Sequence, residues 1–212
     1  MRILSQYFRK LIYALHPSRV GNPGAPGRPQ FSGGGSDRAK KGRQNLAQIL
    51  IVPPFYENLG KRLIKSPKVY LADSGLACHL LGIDTAAELA KSPFLGTLFE
   101  GFIASEIVKA QDNSGRRREL YYFRDEQGLE VDFLMPGRGG SVSLVECKAG
   151  RTVTPTMATP IRRLAEALKK KRPSQTGMEL TLVYQPAKAS SPTRAVAPGV
   201  RALAWQEFVA ER

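Results

Sequence analysis

Apolar positions along the chain follow two periods. Between Phe94 and Gln111, the residues Leu95, Leu98, Phe99, Phe102, Ile103 and Ile107 recur at helical spacing, which predicts a helix burying one broad face. Beyond it the period shortens. Runs rich in branched and aromatic residues predict strands at about 120–124, 129–135 and 141–150, with turns at 126–128 and 136–140. A helix is expected over about 160–171, strands over 178–185 and near 200–203, and a closing helix over 205–211. Upstream, ILIVPPFY (49–56) reads as a strand, 57–67 as a turn and basic connection, and 68–83 as a strand running into a helix. Asp73 or Ser74 would cap that helix and Gly82 would stop it. The order α-β-β-β-α-β predicts an α/β fold in which an antiparallel meander extends into a mixed sheet covered by helices.

No comparable pattern organises the first 48 residues. Ten of the twenty residues from Pro17 to Ser36 are Gly or Pro, so residues 1–48 are expected to be a basic, largely disordered tail. Leu4, Phe8, Leu11 and Leu15 before this run have helical spacing, compatible with a short basic amphipathic helix or with a piece of core helix. The charge changes less than it first suggests. The net charge is +14, but residues 1–48 hold nine basic residues and one acid, Asp37, leaving +6 for the other 164 residues. Nucleic-acid binding through a basic surface thus has its main support outside the folded part. No apolar run is long enough to span a bilayer, and Arg9 and Lys10 interrupt any signal-like core, so a cytoplasmic protein without membrane association is expected. Cys78 and Cys147 lack zinc-ligand spacing and read as reduced core residues. His79, set among Leu76, Leu80 and Leu81, and His16, beside the Gly/Pro run, give no catalytic pattern.

The candidate chemistry lies on two neighbouring strands. Alternation places Glu146 and Lys148 on one face and Val145 and Cys147 on the other; on the preceding strand, Glu130 and Asp132 face opposite to Val131 and Phe133. The turn at 136–140 makes these strands neighbours, so Asp132 and Glu146 could converge on a divalent cation such as Mg²⁺ or Mn²⁺. Lys148 would then lie where charge develops during phosphodiester hydrolysis. The same charges also fit a salt-bridge ladder on a solvated strand face. A third carboxylate could come from the long helix, where Glu100 and Glu106 both lie along the apolar stripe.

The segments LFEGFIASEIVKA, YYFRDEQGLEVDFLM and LVECKAG together resemble domain of unknown function 4143, the C-terminal domain of many AAA-type ATP-binding proteins. That domain is similar to the PD-(D/E)xK nuclease superfamily, whose pattern is a helix acid, a strand Asp and Glu-x-Lys on the next strand. Glu100, Asp132, Glu146 and Lys148 stand at those positions. The resemblance selects Glu100 over Glu106 and implies Glu100, Asp132 and Glu146 as metal ligands. It also implies a restriction-endonuclease-like mixed sheet over 84–212, preceded at 49–83 by a remnant winged-helix wing and a connecting segment. An exposed wing could pair with a second copy or another protein. The phosphate-binding pattern G-x-x-x-x-G-K-[ST] of the family's ATPase module does not occur, so no ATP hydrolysis is expected. Residues 1–48 stand in its place, as expected of a truncated or remodelled gene. Two functions follow from the resemblance: a metal-dependent nuclease acting on DNA, or a catalytically silent module that binds nucleic acid or protein.

Overall fold

The computed structural model describes residues 49–55, 66–171, 177–186 and 194–212. The expected disordered tail at 1–48 and most of the basic connection at 57–67 lie outside these residues. Two short strands, β1 (Ile49–Val52) and β2 (Lys68–Leu71), form an antiparallel pair with Leu50 opposite Tyr70. Three helices follow: α1 (Ser74–Leu80), α2 (Ala86–Lys91) and α3 (Leu95–Asn113). The caps explain where the first two begin. Asp73 accepts the backbone N–H groups of Gly75 at 2.8 Å and Leu76 at 3.1 Å. At α2, Thr85 and Glu88 form a reciprocal capping box, with Thr85 N–H donating to Glu88 Oε2 at 2.9 Å and Glu88 N–H to Thr85 Oγ1 at 3.2 Å. This Thr-x-x-Glu signal was readable in the sequence, yet no helix is expected there from the apolar pattern, because α2 buries only Leu89.

The remaining elements are β3 (Tyr121–Arg124), β4 (Glu130–Pro136), β5 (Val142–Lys148), α4 (Thr159–Lys171), β6 (Met178–Tyr184), β7 (Arg194–Ala197), β8 (Val200–Ala204) and α5 (Trp205–Ala210). Among the described residues they build a six-stranded sheet in the order β3-β4-β5-β6-β8-β7. The β3-β4-β5 meander is antiparallel, whereas β5, β6 and β8 run parallel and β7 returns antiparallel to β8. A parallel pair cannot be closed by a hairpin, and α4 supplies the crossover between β5 and β6. The fold is therefore mixed α/β with a mixed sheet between helices, as the element order predicts.

Two apolar layers sandwich the sheet. Phe99, Ile103 and Ile107 of α3 pack with Phe133, Val145, Val183 and Leu203 and with Trp205 and Phe208 of α5. Ile161, Leu164 and Leu168 of α4 pack with Val131, Leu134, Leu144 and Leu182 on the other side. Helix α3 approaches β2 closely because it has glycine at 101. A Cβ there would lie 3.1 Å from the Tyr70 ring. The β1–β2 pair is further tied down by Ser105 Oγ, which donates to Ala72 O at 2.8 Å, and by a bridge between Pro54 and Tyr122.

One local expectation fails in an informative way. Strict alternation puts Val131 and Phe133 on the same face, but Val131 packs with α4 and Phe133 with α3. The cause is a β-bulge. Tyr121 pairs with Leu134 and Phe123 with Val131, so two steps along β3 match three along β4, and Tyr122 stands opposite both Asp132 and Phe133. The extra residue reverses the pleat in the middle of β4.

Phe133 is fully buried at this bulge and should be among the costliest side chains to truncate. Phe133→Ala is expected to lower unfolding free energy by about 3–5 kcal/mol, read as a shift in urea midpoint without a change in slope.

Candidate functional site

Where the β4–β5 ladder ends at Phe133 opposite Val145, the carboxylate of Asp132 takes over as hydrogen-bonding partner. Its Oδ2 accepts the backbone N–H of Cys147 at 2.8 Å. A side chain thus holds the two strands together at the point where the bulge would let them separate. Its other oxygen, Oδ1, lies 3.3 Å from Lys68 Nζ.

Lys68 is the hub of the charged cluster. Its ammonium lies 2.5 Å from Glu100 Oε1, 2.7 Å from Glu130 Oε1 and 5.4 Å from the centre of the Tyr122 ring. Tyr70, two residues on and on the same side of β2, donates its hydroxyl to the same Glu100 oxygen. Burial would weaken the charge on Lys68, but Asp132 and Glu100 outweigh it and raise the ammonium pKa. Burial, followed by the charge of Glu100, pushes the Tyr70 hydroxyl far above its ordinary range. Burial and the charge of Asp132 raise Glu100 to about 7 against the opposing effect of Lys68.

Glu146 and Lys148 form the second part of the site. Their neighbours Val145 and Cys147 pack into the α3 layer, so alternation turns Glu146 and Lys148 from that layer toward the side of Leu144. Lys148 Nζ donates to Glu146 Oε1 at 2.7 Å. Glu146 is only 5% exposed, and its other oxygen, Oε2, is buried without a partner among the described residues. Burial, then Asp132, then more weakly Glu100 raise the Glu146 carboxyl to about 8 despite Lys148. Asp132 therefore influences both halves of the site.

The structure brings Glu100 and Asp132 together through Lys68 and places Glu146 and Lys148 in direct contact. Glu106 goes elsewhere, pairing with Lys109 at 2.9 Å on the surface of α3. His79 lies exposed at the end of α1. Cys78 is buried and Cys147 half-buried, both as free thiols. Among the described residues, no three carboxylate, thiol or imidazole groups converge as a ready metal cage. An all-oxygen pair with an unpartnered buried carboxylate oxygen nevertheless suits a hard divalent cation that keeps waters of its own. Sequence reading did not single out Lys68 or Tyr70. Their same-face spacing on a predicted strand was visible, but their partners lie 30 or more residues away in sequence.

With this geometry in view, similarity to known proteins can be placed on the fold. Residues 95–195 match the domain of unknown function DUF4143. Residues 44–87 match a second, DUF8612. The DUF4143 match contains Glu100, Glu130, Asp132, Glu146 and Lys148, whereas Lys68 and Tyr70 belong to the other segment. Uncharacterized proteins of Mycobacterium bovis and Mycobacterium tuberculosis are each 36% identical to the chain over 120 residues, which is 55% of this chain. The matched stretch spans 26% of the length of those relatives. No solved structure matches the chain. Among the described residues, no helix is long and apolar enough to cross a membrane.

The raised carboxyls fix the sign of a pH effect. Glu100 at about 7 and Glu146 at about 8 both lie above their unfolded value of 4.5, so folding favours their protonated forms. The stability they contribute is complete below about pH 4.5 and is lost as pH rises through about 7–8. In metal-free buffer the melting temperature is expected to fall between pH 5 and 8, and Glu146→Gln to flatten that fall. A wild-type profile that rises over this interval, after allowance for other groups through the variant, contradicts the assignment.

Proposed function

We propose that residues 84–212 form a PD-(D/E)xK-type, restriction-endonuclease-like domain that hydrolyses phosphodiester bonds of DNA with a divalent metal. The order α3-β3-β4-β5-α4-β6 supports this reading, because it delivers an acid from the helix, an acid from β4 and Glu-x-Lys from β5. The observation that carries it is Glu146 Oε2, a buried carboxylate oxygen without a partner among the described residues, on a side chain close enough to Asp132 to feel its charge. Such an oxygen is costly unless a ligand or proton satisfies it.

Asp132 and Glu146 would hold Mg²⁺ or Mn²⁺, with Glu100 reaching it through water. When bound, a divalent cation supplies Lewis-acid polarisation of the scissile phosphate. The chain's own residues supply the rest. Asp132 keeps the strand ends in register through Cys147 N–H, and so would fix where Glu146 meets a bound phosphate. Lys148 holds an ammonium at the site, where it stabilises negative charge that grows on phosphate oxygens in the transition state. Glu100 orients water at the edge of the cluster.

A second reading is favoured by the ion pairs themselves. Lys68 and Lys148 already neutralise the carboxylates from within the chain, as in a catalytically silent module retained for binding nucleic acid or protein. On the outer face of the β1–β2 pair, Ile49, Ile51 and Val69 are exposed and offer such a module an apolar surface for a second copy or another protein.

The readings separate in one experiment. Given Mg²⁺ or Mn²⁺, the purified protein is expected to nick supercoiled DNA, and Glu146→Ala and Lys148→Ala each to reduce the rate by about a hundredfold or more. Mn²⁺ affinity, measured by titration calorimetry, should fall only in Glu146→Ala, because Lys148 is not a metal ligand. Cleavage that persists in Glu146→Ala, or wild-type protein that binds no divalent ion at millimolar concentration, leaves the interaction module as the better account.

A further inference from the structure

The cation at the centre of Glu100, Glu130 and Asp132 comes from outside the segment that supplies the acids. Lys68 lies on β2, within the stretch matching the second domain, and reaches three carboxylates of α3 and β4 across 32 to 64 positions of sequence. Its placement is built rather than incidental. Tyr70 clamps Glu100 from the same strand, Gly101 removes the side chain that would hold β2 away, and Ser105 ties down the residue after β2. The Lys68 side chain is only 18% exposed.

Two of the three carboxylates on this ammonium, Glu100 and Asp132, belong to the set assigned above to the metal. We propose that Lys68 is a resident cation that competes with the divalent ion, so that β2 acts as a gate on metal entry. The proposal rests on the metal-binding reading of the preceding section. An ammonium among carboxylates satisfies their charge in the absence of metal, and a divalent ion arriving at Asp132 meets a like charge only a few ångströms away. Metal binding then requires Lys68 to withdraw from Asp132 and Glu100. Glu130, which is not in the metal set, remains to receive it.

Mn²⁺ binding is therefore measured by calorimetry on full-length wild type, Lys68→Met, Lys68→Arg and Glu146→Gln. Lys68→Met is expected to bind about tenfold tighter or more, because a like charge has been removed from beside the site. Lys68→Arg should resemble wild type, and Glu146→Gln should lose binding. In parallel, reductive methylation of wild-type lysines is followed by peptide mass spectrometry, and saturating Mg²⁺ should speed labelling of Lys68 severalfold relative to other lysines. This second measurement needs no variant and decides the matter if Lys68→Met does not fold. Equal Mn²⁺ affinity of Lys68→Met and wild type, with binding lost in Glu146→Gln, overturns the gate and leaves the metal site standing. So does Lys68 labelling that ignores saturating Mg²⁺. Absence of Mn²⁺ binding in every protein overturns both.

Discussion

A carboxylate removed from water must have a cation, a proton or donated hydrogen bonds, and this molecule gathers four of them at one end of its central strands. Glu100, Glu130, Asp132 and Glu146 are each at least partly buried. The arrangement holds because each receives a different form of compensation. Lys68 serves three, Lys148 serves the fourth, and a backbone amide takes one oxygen of Asp132. Asp132 is the member on which the rest depends, since it joins β4 to β5, touches Lys68 and raises the proton affinity of both Glu100 and Glu146.

The bulge in β4 is the backbone counterpart of this electrostatic arrangement. Without its extra residue, Phe133 and Val131 would share a face and one of the two apolar layers would lose a large side chain. With it, Phe133 seals the α3 side while the adjacent Asp132 is left at the mouth between strands. Packing and chemistry are thus set by the same irregularity.

Much of this was legible beforehand, and the divisions follow physical lines. The long helix, the meander and the crossover helix carry strong apolar periods, and they form close to the expected limits. The Glu-x-Lys pair was readable because alternation is a local property. The bulge was not, because it depends on pairing with β3 and leaves no distinctive residue in Glu130-Val131-Asp132-Phe133. Lys68 carries no local signal for a related reason: a lysine on a short strand resembles any solvated lysine until the fold brings distant acids to it. The strand at 194–197 is also absent from the sequence reading, its Ala-rich stretch carrying little β-branched character.

The bridge between Pro54 and Tyr122 has a consequence at the margin of the sheet. Strand β3 is the outermost strand on its side, and such a strand ordinarily presents unpaired amides and carbonyls to any other chain. Here Phe55 N–H donates to Tyr122 O at 2.7 Å and Tyr122 N–H to Pro53 O at 3.1 Å, which occupies both backbone groups of the second of the strand's four residues. Proline beside that residue has no N–H with which to extend the pairing into a true strand. The segment after β1 thereby blunts the edge without becoming a new one, and so guards the sheet against edge-to-edge aggregation.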